Sequence, residues 1–367
     1  MRYPKFLPEN GTIGFVAPSF GCAIEPYHTA FQNAQKKWKE MGYKLDLGPN
    51  CYEDKGIGIS NTPQECGKEL TDYYCSVDNE ALISCGGGEM MCETIGYVDF
   101  EKIKEAEPKW YMGYSDNTNF IFLLSTICDV AGIYGPCAGT FGMEPWHESL
   151  RDAMDVLTGT KQKAAGYQLW EKEDLKGEGN PLVPYHVTEP TELVIYPGQS
   201  ESEKTVITAW KAGETEIYKG SENPKATIHM TGRLLGGCVD CLVTLLGTEF
   251  DHVEEFNEKY KEDGIIWFLE CCDFNTMGIR RAMWQLKHAG WLKYTKGFLI
   301  GRPGCIGDEF MGLDHYHAVV DILKEFNVPI IMDTDIGHKP PMMPLVCGSM
   351  AEVTVCGNYI EVDMQYR

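Results

Sequence analysis

Residues Trp110 to Phe120 have the sequence Trp-Tyr-Met-Gly-Tyr-Ser-Asp-Asn-Thr-Asn-Phe, which is the most informative local pattern in the chain. An apolar, aromatic run ends at Gly113, a lone serine follows among polar residues, and a helix-like apolar stripe begins at Phe120. This pattern predicts a buried strand, a sharp turn and a helix, with Ser115 at the apex of the turn. Many serine hydrolases hold their nucleophile at such a turn. The tight corner exposes the hydroxyl, and the helix N-terminus offers free backbone N–H groups beside it.

The turn departs from the Gly-x-Ser-x-Gly pattern of those enzymes, because Asn117 stands where the second glycine would be. Taken alone, the stretch is a weak signal, since Ser115 or Asp116 could equally cap the helix. The local pattern therefore leaves two interpretations open, a nucleophile and a helix cap.

The composition indicates two domains, because 367 residues is long for a single one. No run of about 18 apolar residues is present, so no transmembrane helix is expected. Residues 1–8 lack the apolar core of a signal peptide, which predicts a cytoplasmic protein. The net charge of −22 argues against a nucleic-acid polymer or an anionic membrane as the main partner.

The 15 cysteines are an odd number in a chain without an export signal, which favours reduced thiols over a disulfide framework. Cys238 and Cys241 form the only Cys-x-x-Cys, and no second pair stands at zinc-ribbon spacing. We expect most of these thiols to be small core side chains, and we expect neither a metal nor a cofactor.

Strands alternate with helices along the first 160 residues, which predicts a mostly parallel sheet in an α/β domain. The buried run 81–84 leads directly into Cys85-Gly86-Gly87-Gly88. Two other predicted strands also end in turns, at Pro18 and at Ser115. Because ligands bind beyond the carboxyl ends of parallel strands, these three loops should surround one crevice.

Residues 161–230 differ in character, with several prolines, many Glu and Thr, and no long periodic run. We interpret this segment as a linker plus an insertion that could lie as a flap over the site. Its aromatic residues, among them Trp170 and Trp210, either face a ligand or pin the segment to the body of the protein. Residues 231–367 then form a second domain, rich in buried strands and closing helices.

Two residues could activate Ser115 if it is a nucleophile. A serine hydroxyl needs a base, and the base needs a third group to orient it. His338 follows a buried strand in a loop of glycine and proline, and Glu270 ends another buried strand. The alternatives are a core histidine bonded to backbone and a carboxylate paired with an arginine, and spacing alone does not exclude them.

The chain nevertheless resembles the LD-carboxypeptidase family of serine peptidases, which includes the microcin C immunity proteins. The matching blocks stand in family order and span nearly the whole chain outside the insertion. They are residues 15–19, 86–87, 113–118, 134–136, 232–237, 269–270, 300–302 and 335–338. The resemblance implies an N-terminal flavodoxin-like parallel-sheet domain (residues 1–160) and a C-terminal α/β domain with a small barrel-like sheet (residues 231–367).

The resemblance also implies roles for individual residues. Ser115 would be the nucleophile, His338 the general base and Glu270 the acid that orients it, with no metal required. The backbone N–H groups of Gly86 and Asp116 would line the oxyanion hole. Gly87 would contact the substrate, which is expected to be a small peptide or peptide conjugate. Family members are typically cytoplasmic homodimers, which we expect here as well.

Departures from the family pattern bear on the substrate. Cys85 stands where murein-recycling carboxypeptidases usually carry an arginine suited to a substrate carboxylate. Tyr134 replaces the more usual histidine of His-Gly-Pro, and the insertion is long. These features lean towards the immunity branch, in which an aromatic residue of the inserted loop stacks on a nucleotide base. Trp170 and Trp210 are the candidates for that role here.

Several hypotheses stay open at this stage. A murein L,D-tetrapeptide and a peptidyl-nucleotide are close rivals as the substrate. A non-catalytic binding protein on the same fold is an alternative, although it would have no need of Ser115, Glu270 and His338 together. A thiol nucleophile at Cys85 is a third, and no neighbouring cation or histidine in the sequence supports it.

Overall fold

The computed structural model describes residues 1–198, 210–212, 215–222 and 224–367, and for residues 210–212, 215 and 216 it describes the backbone alone. The helices are α1 (Tyr27–Glu40), α2 (Pro63–Cys75), α3 (Met91–Thr94), α4 (Phe100–Glu105), α5 (Thr118–Thr126), α6 (Glu148–Thr158), α7 (Val239–Leu245), α8 (Val253–Lys259), α9 (Thr276–His288) and α10 (His315–Leu323). None of the helices in these ranges is long and apolar enough to cross a membrane.

Two sheets of six and ten strands form the body of the protein, and a two-stranded pair lies beside them. The strands are β1 (Thr12–Val16), β2 (Lys44–Leu47), β3 (Ala81–Ser84), β4 (Trp110–Gly113), β5 (Gly132–Tyr134), β6 (Lys163–Ala165), β7 (Leu169–Glu171), β8 (Val187–Pro190), β9 (Val194–Tyr196), β10 (Trp210–Ala212), β11 (Thr215–Lys219), β12 (Thr227–Cys238), β13 (Ile265–Glu270), β14 (Thr295–Gly301), β15 (Ile330–Thr334), β16 (Leu345–Cys347), β17 (Met350–Cys356) and β18 (Tyr359–Gln365).

The six-stranded sheet has the order β16-β5-β4-β3-β1-β2. Strands β2, β1, β3, β4 and β5 are parallel, and β16 adds to the edge as an antiparallel strand. The order 2-1-3-4-5 is that of flavodoxin-like sheets. The predicted flavodoxin-like N-terminal domain is therefore confirmed.

Helix α1 shows why this domain forms from its sequence. Its buried residues are Ala30, Phe31, Ala34 and Trp38, spaced at three and four positions, so one face of the helix is apolar. That face packs on the sheet, where the ring of Phe15 from β1 lies 5.3 Å from Phe31 and 5.0 Å from Trp38.

The ten-stranded sheet has the order β10-β11-β9-β15-β14-β13-β12-β17-β18-β6. Its centre, β12 to β15, is parallel, and antiparallel strands lie on both sides. The predicted C-terminal α/β domain is confirmed, and its sheet is larger than the small one expected. The reason is that residues 161–230 add strands to both sides of it, with β6 on β18 and β9 on β15.

The same segment also holds the two-stranded pair of β7 and β8, which are joined by the loop 172–186. The boundaries of this segment as a separate unit remain a prediction. Apart from β7 and β8, its strands within the described residues belong to the C-terminal sheet, because β-prone runs such as 194–196 complete open strand edges.

Candidate active site

Ser115 lies at the turn that the sequence predicts. Strand β4 ends at Gly113, a 3₁₀ turn spans Ser115–Asn117, and α5 follows. Ser115 has a φ of 62°, in the left-handed region that a residue with a Cβ rarely adopts. This strained corner between strand and helix is the geometry of a nucleophile elbow.

Asn117 explains how the turn does without the second glycine. Its side chain is buried, and Nδ2 donates to the carbonyl oxygens of Gly86 (2.8 Å) and Tyr114 (3.1 Å). Its Oδ1 accepts a hydrogen bond from the phenol of Tyr111. The amide therefore holds the serine turn against the glycine loop after β3, a function that a glycine at this position would lack.

Ser115, His338 and Glu270 form a continuous hydrogen-bonded chain. His338 Nε2 lies 2.9 Å from Ser115 Oγ, and His338 Nδ1 lies 2.9 Å from Glu270 Oε2. An ionised carboxylate only accepts hydrogen bonds, so the neutral imidazole carries its proton on Nδ1 and faces the serine hydroxyl with the lone pair of Nε2. Ser115 follows β4, Glu270 is the last residue of β13, and His338 follows β15. All three residues therefore lie at the carboxyl ends of their strands, which brings them together.

The histidine and the carboxylate control each other's protonation. Burial lowers the pKa of His338, but the Glu270 charge and the interactions with the Cys272 and Glu270 side chains together outweigh burial and leave that pKa well above its ordinary value. Burial likewise raises the pKa of Glu270, but the interactions with His338 and a hydrogen bond from Tyr134 outweigh it and leave this pKa lowered. The pair therefore favours a charged carboxylate beside an imidazole that readily accepts a proton.

Tyr134 is a residue of this site to which the sequence assigned no role. Its phenol is buried, donates to Glu270 Oε1 at 2.6 Å and accepts the backbone N–H of Ser115 at 3.3 Å. It thus joins the strained serine backbone to the carboxylate from the other domain. The sequence indicated only that Tyr134 replaces the usual histidine before Gly135-Pro136, which does not predict which groups its phenol contacts.

The loop that carries His338 is held by a buried ion pair and a glycine. Arg302 donates to Asp335 Oδ1 at 2.6 Å, and both side chains are almost fully buried. Gly337 has a φ of 93°, and a Cβ there would overlap the Glu270 carboxyl group. The loop therefore needs glycine beside the histidine.

Trp170 lies against this loop rather than across an open ligand surface. The Arg302 guanidinium stacks 5.1 Å from the centre of the Trp170 ring, and the ring is 9% exposed. Asp335 Oδ2 also accepts the N–H of Tyr167 at 2.7 Å. In this position the ring supports the histidine loop, and contact with a substrate stays a prediction. The side chain of Trp210 lies outside the described residues.

The glycine loop after β3 lies directly beside Ser115. A Cβ placed on Gly87 would be 3.0 Å from Ser115 Oγ, so a side chain there would crowd the hydroxyl. Within the described residues, the N–H groups of Gly86 and Asp116 donate to no protein acceptor. The Asp116 side chain instead accepts from Ser19 Oγ (2.5 Å) and the Met91 N–H (2.9 Å), which fixes the surrounding loops.

The two cysteines nearest to this chemistry differ in position. Cys85 is buried, and burial raises the pKa of its thiol well above the ordinary value, which disfavours a thiolate. Cys272 is half-buried and lies against His338, where burial also raises the pKa of its thiol. All 15 cysteines are free thiols.

Two adjoining cavities open onto the serine. The Ser115 cavity, of about 380 Å³, is lined by Ser115, Gly86, Gly87 and His338 among others. The Tyr185 cavity, of about 180 Å³, is lined by residues that include Tyr185 and Pro340. They share the following residues: Tyr27, Tyr114, Thr140, Lys176 and His338. Together they form one cleft large enough for a small peptide.

The fold and the site define a class of protein, and comparison with known families agrees. Residues 13–135 match the family model of the LD-carboxypeptidase N-terminal domain. Residues 231–353 match that of the LD-carboxypeptidase C-terminal domain. The two matches cover most of the chain, which therefore belongs to the LD-carboxypeptidase family, as its motifs predicted.

Particular relatives are distant in sequence. A candidate carboxypeptidase of Vibrio cholerae is 22% identical over 347 residues, covering 94% of this chain and 92% of the relative. One from Streptomyces coelicolor is 20% identical, covering 98% of this chain and 96% of the relative.

Among solved structures, the microcin C7 self-immunity protein MccF bound to adenosine monophosphate superposes with a TM-score of 0.76. It is 18% identical, with 100% of this chain and 99% of that chain covered. An MccF-like protein of Bacillus anthracis gives a TM-score of 0.76 at 19% identity, with both chains covered at 100%. These likenesses show the same fold.

Proposed function

We propose that this protein is a serine peptidase that hydrolyses an amide bond in a small peptide or peptide conjugate. The observation that carries the proposal is the chain of hydrogen bonds from Ser115 Oγ through His338 to Glu270. A serine at a strained turn, a histidine facing it through Nε2 and a buried carboxylate behind the histidine are the parts that acyl transfer requires.

The first step uses the serine as nucleophile. Ser115 Oγ attacks the carbonyl carbon while its proton passes to His338 Nε2, and the imidazolium is stabilised by Glu270. The tetrahedral oxyanion is received by the unpaired N–H groups of Gly86 and Asp116. The C–N bond then breaks as His338 returns the proton to the leaving amine, and an acyl-serine remains.

The second step reverses these roles with water. His338 takes a proton from a water molecule, the resulting hydroxide attacks the acyl carbon, and the proton returns to Ser115 Oγ as the acid is released. Through both steps the Tyr134 phenol holds Glu270 and the backbone of Ser115 in fixed relative positions by its two hydrogen bonds. No step draws on a metal, and we place the reaction in the cytoplasm, where free thiols persist.

Two substrate classes remain in competition. Solved neighbours of this fold bind adenosine monophosphate and aspartyl sulfamoyl adenosine, which supports a peptidyl-nucleotide. The relatives named for carboxypeptidase activity support a peptide with a free C-terminus, such as a murein tetrapeptide.

The test is turnover of both substrates by the purified protein. One reaction holds a murein tetrapeptide ending in D-Ala, the other a peptidyl-adenylate amide, and released products are quantified. Ser115→Ala should abolish turnover of whichever substrate is cleaved, by on the order of 10⁴-fold or more in kcat. Cys85→Ala should leave it unchanged. Turnover that survives Ser115→Ala but is lost in Cys85→Ala would contradict the proposal.

A further inference from the structure

Lys176 occupies a central position in the cleft. Its side chain is one of those that line both the Ser115 cavity and the Tyr185 cavity. It belongs to the loop 172–186, which is anchored to the N-terminal domain at two points. The Glu144 N–H donates to the carbonyl of Leu182 at 2.8 Å, and the ring of Tyr185 lies 5.6 Å from that of His147. The loop therefore holds this lysine over the serine.

The ammonium group of Lys176 faces an aromatic ring and not a carboxylate. Its Nζ lies 5.5 Å from the centre of the Tyr27 ring, and across the described ranges it forms no ion pair. Asp174 is two residues away and its Oδ1 accepts the backbone N–H of Lys176; its charge raises the pKa of Lys176 without outweighing burial. Burial in the cleft lowers the pKa of Lys176. A partly desolvated, unpaired cation is costly, and an anion bound beside it would offset that cost.

Two of the carboxylates along the cleft are already engaged. Glu53 pairs with Lys55 at 2.7 Å, and Glu171 accepts the N–H of His186. Asp54 and Glu89 also line the Ser115 cavity, so much of the lining repels anions. Of the three lysines that line these cavities, Lys172 and Lys339 line the Tyr185 cavity alone, whereas Lys176 lines both. Lys176 therefore lies where an anionic group can be held near the serine despite the carboxylates.

The position of Lys176 also bears on Cys85. The Cys85 thiol is buried, and burial raises its pKa, so it brings no charge to the glycine loop. Cys85 and Lys176 line the same cavity. The lysine charge in this cavity therefore comes from a segment outside the residues that match the two family domains.

We propose that Lys176 is the anion-recognition residue of this cleft and selects substrates that carry a carboxylate or phosphate close to the scissile amide. This inference rests on the proposed peptidase function for its substrate, but the binding step can be tested without turnover. The two sources of negative charge, a free C-terminal carboxylate and a nucleotide phosphate, share this chemistry and are separated by the choice of probe.

The experiment measures equilibrium binding to the full-length Ser115→Ala variant by calorimetry. The probes are a D-Ala-terminated tetrapeptide, its C-terminal amide, adenosine 5′-monophosphate and adenosine. In at least one pair the anionic probe should bind roughly 10- to 100-fold more tightly than its neutral partner. Adding Lys176→Met should remove that difference, and Lys176→Arg should preserve most of it. Lys36→Met, which removes an exposed lysine paired with Glu40 on α1, is the matched control and should change nothing.

The outcomes separate this inference from the proposed function. A Lys176-dependent preference for the acid over the amide identifies a carboxylate, and one for the monophosphate over adenosine identifies a phosphate. Equal binding within both pairs, or a preference that survives Lys176→Met, would overturn the anion site even if the wild-type protein hydrolyses amides. Conversely, a Lys176-dependent preference in a protein that cleaves neither substrate would support the anion site and exclude both proposed substrates.

Discussion

The phenol of Tyr134 donates a 2.6 Å hydrogen bond to Glu270 Oε1 and connects two domains at the point of chemistry. Tyr134 ends β5 in the N-terminal sheet, whereas Glu270 ends β13 in the C-terminal sheet. The same oxygen accepts the N–H of Ser115, so one buried side chain links the serine turn to the acid that orients the histidine. This arrangement makes Tyr134 a positioning residue of the proposed reaction.

We expect Tyr134→Phe to lower kcat by roughly 10- to 100-fold with little change in KM, because a hydrogen bond to a charged group is lost while the cleft keeps its lining. Without this donor the pKa of Glu270 rises, the carboxylate holds the imidazolium more tightly, and the acid limb of the kcat/KM profile moves to higher pH. Steady-state kinetics across pH tests both effects.

The matched control is Tyr294→Phe. Tyr294 also donates to a glutamate, Glu258, at 2.7 Å, but it lies on the surface away from the cleft. The Tyr294→Phe variant should leave kcat and the pH profile of kcat/KM unchanged. If Tyr134 had a purely structural role, Tyr134→Phe would instead lower the amount of folded protein and leave the acid limb of the kcat/KM profile at the same pH.

The pH dependence of the wild-type protein follows from His338. A general base works in its neutral form, so activity is present above its pKa and is lost as pH falls through it. Burial lowers the pKa of His338, but Glu270 and Cys272 together raise it well above its ordinary 6.5, so half-maximal kcat/KM should occur above pH 6.5.

Glu270→Gln should lower kcat less than Ser115→Ala does and shift the acid limb to lower pH, since the charge that raises the His338 pKa is gone. His252→Gln is the control, because His252 also faces a glutamate, Glu255 at 3.7 Å, but is exposed. An acid limb that stays in place in Glu270→Gln would contradict the assignment of His338 as the titrating base.

Asn117→Gly would restore the glycine of the common nucleophile pattern, yet we expect it to destabilise the protein. The change leaves the buried Tyr111 phenol without its acceptor, at a cost of about 1–3 kcal/mol. It also removes one of the two hydrogen bonds that the Gly86 carbonyl accepts, the other coming from Ser84 Oγ. The free energy of unfolding in urea measures the loss.

Asn180→Gly is the comparison, because that asparagine donates to the Leu175 carbonyl in an exposed loop. It should cost well under 1 kcal/mol by the usual effect of a surface substitution. Equal stability of the Asn117→Gly and wild-type proteins would show that the turn does not depend on the amide.

Trp170 provides a test between support and substrate stacking. Since its ring packs on Arg302 and not on open space, Trp170→Ala should lower activity on every substrate by a similar factor and lower the free energy of unfolding by about 3–5 kcal/mol. Trp284→Ala, at a ring that is 54% exposed on α9, should do neither. A selective rise in KM for the nucleotide conjugate alone would instead assign the ring to base stacking.

The sequence by itself was sufficient for the local features of this site. The apolar run before Gly113 and the stripe after Asn117 predicted the strand, turn and helix around Ser115, because hydrophobic periodicity reports which residues face the core of one element. The alternation of such elements also predicted the parallel sheet and the edge at which its loops meet.

Only the tertiary structure decided which distant groups meet. His338 lies 223 positions from Ser115 and 68 from Glu270, and the chain has nine histidines. Periodicity contains no information about which of them reaches the serine, because that depends on how two sheets pack. The same packing placed Trp170 against Arg302, put Tyr134 between the serine and the acid, and brought Lys176 to the lining of the cleft.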